Sequence, residues 1–129
     1  MRLVLAVVSG VLVSSVLAAT TPAPAQSVCE TITPRAYQLR AKLDALRLDH
    51  SAVYLWVCLT FETTLPRNPP PSEVVAKMTG SQAACARGLP PKDCTFVVGE
   101  FIAFAQGIGA LQDLARQNGC AVPSFPDPC

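Results

Sequence analysis

The chain has a single histidine, His50, and no Cys-x-x-Cys pair. Zinc sites draw on closely spaced Cys and His ligands, so no resident metal is expected. There is no basic run, and charged residues make up only 15% of the sequence, which removes the electrostatic footprint of a nucleic-acid binder. No phosphate-cradling loop, dinucleotide fingerprint or Gly-x-Ser-x-Gly elbow occurs, so no cofactor is expected. His50 and Ser51 are chain neighbours, which rarely form a nucleophile–base pair, and His50 reads more simply as a loop residue before a helix. There is no internal repeat and no convincing strand pair. These absences leave a mainly α chain.

Address and size come from what is present. Arg2 is followed by an apolar run from Leu3 to Leu17 and by small residues at Ala18, Ala19, Ala23 and Ala25. That is the layout of a signal peptide, read as residues 1–19 with cleavage as late as residue 25. The run is short for a membrane span, which needs about 20 apolar residues. Secretion is therefore expected, with no membrane association after cleavage. Residues 20–28, rich in Thr, Pro and Ala, read as a flexible leader, and 29–129 as a single domain, expected to be a monomer. Loss of Arg2 leaves nine cations and nine anions, so electrostatic steering toward an anionic wall is weak. A domain this small has little core, and six cysteines are available to brace it: Cys29, Cys58, Cys85, Cys94, Cys120 and Cys129. Their spacing alone does not select a pairing.

Helical periodicity covers most of the rest. Thr33 and Pro34 suit the start of a helix whose apolar face is Ala36, Leu39, Leu43 and Leu46, with an earlier start near Cys29 open. Ser51 is a candidate cap for a second, almost wholly apolar helix through Phe61, placing Trp56 and Cys58 in the core. The prolines at 66 and 69–71 predict a stiff extended connector. Ser72 then caps a short helix through Val74, Val75 and Met78, ended by Gly80. Asp93 caps a long helix to about Asn118, weakened at Gly99, Gly107 and Gly109 and open to a break there. Phe96, Phe101 and Phe104 read as core, and Gly119 as the C-terminal cap.

One stretch carries a more particular signal. Cys29-Glu30 is followed by a helix, a loop, and a second helix in which Trp56-Val57-Cys58 precedes Glu62. This pattern resembles the animal-type (C-type) lysozyme and α-lactalbumin family, and the late Cys120 and Cys129 add to the likeness. The resemblance implies a lysozyme-like fold with little or no β-sheet and nested disulfides, Cys29–Cys129, Cys58–Cys120 and Cys85–Cys94. It also implies a glycoside hydrolase acting on peptidoglycan-type polysaccharide, with Glu62 as general acid. Such hydrolysis uses two carboxylates, about 5 Å apart in a retaining enzyme. Glu62 follows Phe61 at the end of an apolar helix, where partial burial is expected. The second carboxylate is missing from its expected place: residues 63–84 hold no aspartate, and Glu73 is their only acid. Glu73 is thus a weak candidate.

Two other readings stand beside this one. Loss of the hairpin acids suits a non-catalytic lysozyme-like protein that binds a saccharide or another extracellular protein. The apolar late helix with its interior glycines suits a disulfide-bonded carrier of an apolar ligand, which requires an enclosed pocket of at least ~300 Å³.

Overall fold

A computed structural model describes residues 25–85 and 91–129. The expected signal peptide, with most of the leader, lies outside the described residues. The fold is a small helical domain stapled by three disulfides, without strands among the described residues. Among the described residues the helices are α1 (Ala25–Asp49), α2 (Ser51–Thr64), α3 (Pro71–Cys85) and α4 (Pro91–Gln117).

Helix α1 starts earlier than the Thr33–Pro34 signal indicates, inside the segment read as a leader. Pro34 lies within it, at the cost of one main-chain hydrogen bond. Tertiary attachment of the turns before it offsets that loss: Ile32 is buried and Cys29 is bonded to Cys120. The expected apolar face is used, with Leu43 and Leu46 buried and Ala36 and Leu39 packed at its edge.

A single residue, His50, turns the chain into α2. It occupies the N-cap position without a side-chain cap, so Ser51 is the first helical residue and not the cap. The corner rests against α4, where the His50 and Phe96 rings lie 5.5 Å apart and His50 Nδ1 is 3.7 Å from Asp93 Oδ2. Phe96 is half exposed and belongs to this corner, not to the core. Tyr54, Val57, Cys58 and Phe61 point inward from α2, and Trp56 is only partly buried.

The proline connector leads directly into α3. Pro70 accepts the amide hydrogens of Glu73 and Val74, and Pro71 takes the first helical position, where its missing N–H costs nothing. Ser72 is therefore inside the helix. Gly80 does not end α3, which continues to Cys85, buried opposite Cys94.

Helix α4 is the centre of the fold and packs on the three other helices. By length and composition it is apolar enough to cross a bilayer, but here its apolar side chains form the core. Val97, Val98, Phe101, Ala105, Ile108 and Ala115 have no exposed surface. The glycines do not break it. A Cβ at Gly107 would lie 2.8 Å from Leu39 Cδ1, and one at Gly109 would lie 3.3 Å from Pro71, so these positions permit close approach of α1 and α3. Gly119, with φ of 66°, ends the helix as expected. The Cys120 and Gly119 amides return to the Ala115 and Arg116 carbonyls, a Schellman turn.

Helix directions explain the disulfides. Leu39 meets Gly107 and the His50 corner meets the start of α4, so α1 and α4 are antiparallel. Cys29 is thereby carried to the far end of α4, where the Gly119 turn presents Cys120 at a Cα separation of 5.4 Å. The tail, residues 121–129, then runs back along the helices. Gln112 donates to the Pro123 carbonyl, the Phe125 ring meets Phe61 and Phe104, and the Tyr54 hydroxyl donates to the Pro128 carbonyl. That path delivers Cys129 to Cys58, Cα to Cα 5.6 Å. The nested pairing of Cys29 with Cys129 and Cys58 with Cys120 is thus corrected: the partners are exchanged. Cys85 pairs with Cys94, as the resemblance implies.

Candidate functional site

The last turn of α2 exposes Glu62, while the preceding Phe61 turns inward. Leu65 closes the helix by donating its amide hydrogen to the Phe61 carbonyl. The chain then crosses Pro66, Arg67, Asn68 and Pro69 before α3 begins. Asn68 takes a left-handed conformation, φ 48°, which asparagine tolerates better than most residues. Its side-chain oxygen accepts the Phe125 amide hydrogen at 2.6 Å, fixing the tail to the connector. Phe125 itself is buried, lying over Phe61 with centroids 6.1 Å apart and edge-on to Phe104 at 5.5 Å.

These three segments enclose an open cleft of about 460 Å³. Its polar side chains are Glu62, Arg67, Asn68 and Asp127, and its apolar surface comes from Phe61, Leu65, Pro66, Pro69 and Phe125. Asp127 is turned partly toward its own backbone, its Oδ1 accepting the Cys129 amide hydrogen at 2.9 Å. Glu62 also lines a second, adjoining cleft of about 320 Å³ along α2, with Arg47, Leu55, Leu59 and the Cys58–Cys129 pair. Arg47 donates to the Pro128 and Cys129 carbonyls, and its guanidinium lies 5.2 Å from the Tyr54 ring centre.

Of the two carboxylates singled out from sequence, Glu62 lines a cleft but is exposed, contrary to the expected partial burial. Glu73 sits exposed in the first turn of α3, where an acid favours the positive end of the helix, and it is not among the residues lining the Glu62 cleft. The carboxylate that shares the cleft is Asp127. Nothing in the sequence pattern indicated it, because it is brought there by the return of the tail. Arg67 and Asn68 were likewise hidden within a stretch that read only as a proline connector. No group of three or more His, Cys, Asp or Glu able to hold a metal ion occurs among the described residues. Gly99, Gly107 and Gly109 face the side chains of Gln82, Leu39 and Pro71, and so do not open a cavity in the core.

No known protein family, curated protein or solved structure matches this chain.

Proposed function

We propose that the protein is a secreted, non-catalytic saccharide-binding domain, with the ligand lying in the Glu62 cleft. The observation that carries this reading is the composition of that cleft: Glu62, Asp127, Arg67 and Asn68 bring hydrogen-bond acceptors and donors to an apolar floor of Leu65 and prolines. Saccharides present both hydroxyls and apolar C–H faces, and open clefts of this size with a few converging polar groups suit small ligands. The exposure of Glu62 favours binding over catalysis, since a general acid of a glycosidase works from a sheltered, water-poor setting. The leader sequence and three disulfides fit an oxidising, extracellular setting.

A second reading, glycoside hydrolysis, is favoured by one specific feature. Asp127 supplies the cleft with the second carboxylate that residues 63–84 lack, so that Glu62 as acid and Asp127 as nucleophile or base would complete a pair.

A single experiment separates the two. The oxidised protein is incubated with bacterial cell walls, and both turbidity and co-sedimentation are followed for wild type, Glu62→Gln and Asp127→Asn. The binding reading expects co-sedimentation without clearing, reduced about tenfold in affinity by either substitution. Clearing by wild type that is lost in Glu62→Gln would replace binding by hydrolysis. Neither clearing nor co-sedimentation would overturn both readings for this class of polysaccharide.

A further inference from the structure

Separate from the Glu62 cleft, α1 and α4 leave a groove of about 340 Å³ beside Gly107. Its floor is apolar, formed by Leu39, Leu111 and the Cα of Gly107; its rim carries Arg35, Gln38 and Lys42. None of these residues lines the Glu62 cleft.

The cations at this rim differ from their neighbours. Arg40 is paired with Asp44 and Arg116 with Asp113, both by short ion pairs, and Arg47 is engaged by tail carbonyls. Arg35 and Lys42 have no ion-pair partner among the described residues. Sequence explains why. The α1 positions three and four residues from each of them are Thr31, Ile32, Gln38, Leu39, Ala45 and Leu46, none of them acidic. The α4 residues that line the groove, Gly107 and Leu111, are uncharged. Two positive charges thus border one apolar groove in a protein that is close to neutral. Seven residues of helix separate their backbones by about 10 Å, short enough for two long side chains to converge on one anion from opposite ends.

We propose that this groove binds a free anionic amphiphile, a carboxylate carried on a linear apolar chain. The carboxylate would lie between Arg35 and Lys42, with Gln38 offering an amide donor, and the chain would lie along Leu39 and Leu111, over the contact of Leu39 with Gly107. Charge complementarity selects the anion, and the apolar floor selects the chain. A membrane surface is a poorer occupant. The groove is concave, and the large exposed apolar side chains, Tyr37, Leu48, Leu55, Leu59, Phe96 and Val122, are absent from its lining.

The test uses the oxidised protein and two probes of equal chain length, decanoate and decanol, titrated by calorimetry. Decanoate is expected to bind saturably, at least about tenfold more tightly than decanol, and to weaken as salt is added. Arg35→Gln with Lys42→Gln should lose that preference. The control double substitution Lys77→Gln with Arg116→Gln, which removes the same charge elsewhere, should keep it. Thermal unfolding of each variant verifies that the fold is intact. Equal binding of the two probes, no saturable binding of decanoate, or equal losses in both double variants would each overturn the proposal. Because cell-wall binding is read at Glu62 and Asp127, failure of one assignment leaves the other standing.

Discussion

Two regions of this molecule, the α3–α4 pair and the C-terminal tail, are both disulfide-bonded and both bury aromatic side chains, yet they satisfy their backbones differently. Between Pro71 and Gln117 the described main chain forms its own helical ladder, and the buried residues are the inward faces of two antiparallel helices. Between Ala121 and Cys129 there is no regular structure. There the carbonyls and amides are met by side chains from elsewhere: Gln112 to Pro123, Asn68 to Phe125, and Tyr54 and Arg47 to Pro128. The helical pair is specified locally and then packed. The tail is specified by its docking site, and it is the tail that completes the Glu62 cleft. A helical domain with a small core can build a site from irregular chain if side chains and a covalent bond hold that chain in place.

That contrast predicts a graded series of effects. The largest belongs to the helical pair. Phe101→Ala, in the centre of α4, is expected to cost about 3–5 kcal/mol in denaturant unfolding, because a fully buried ring leaves a cavity between α2 and α4. Loss of the tail clamp should come next. Replacing Cys58 and Cys129 together by alanine opens a link spanning 71 residues and should cost on the order of 2–4 kcal/mol. Hydrogen exchange should show which region pays: faster exchange confined to the Phe125 and Cys129 amides would sharpen the contrast, whereas equal loss of protection in α3 and α4 would break it.

A smaller effect tests the side-chain attachment alone. Asn68→Ala removes the acceptor of the Phe125 N–H and places alanine in a left-handed conformation, for a cost of about 1–3 kcal/mol. It should also weaken ligand binding in the Glu62 cleft, read by the same co-sedimentation. Smallest, and opposite in sign, is Gly80→Ala. A Cβ there meets nothing within 4 Å, and the position is interior to α3, so stability should rise by about 0.5–1 kcal/mol in thermal or chemical unfolding. A loss on this substitution would mean that α3 stops at Gly80 in solution, as the sequence pattern alone suggests.

The four helices among the described residues were legible because their signals are local. The spacing of Leu39, Leu43 and Leu46, the apolar run of α2 and the glycine at 119 each act within a turn or two of chain. Errors gathered at the ends. Ser51 and Ser72 were read as caps but lie inside helices whose starts are set by the His50 corner and by Pro71. Gly80 and Gly107 looked like breaks, yet both lie inside continuous helices, Gly107 in close contact with Leu39. Of the cleft, only Glu62 could be singled out. Arg67 and Asn68 lie in an irregular connector and Asp127 about half the chain away, and no periodicity links them to it.

The sequence by itself determined a helical, cysteine-braced domain, since amphipathic spacing and paired thiols act through short-range geometry and composition. The tertiary structure alone decided which cysteines join and which carboxylate shares the cleft with Glu62. Both depend on the antiparallel sense of α1 and α4 and on the return path of the tail, and these are settled only when the apolar faces of all four helices and the Phe125 ring are buried together.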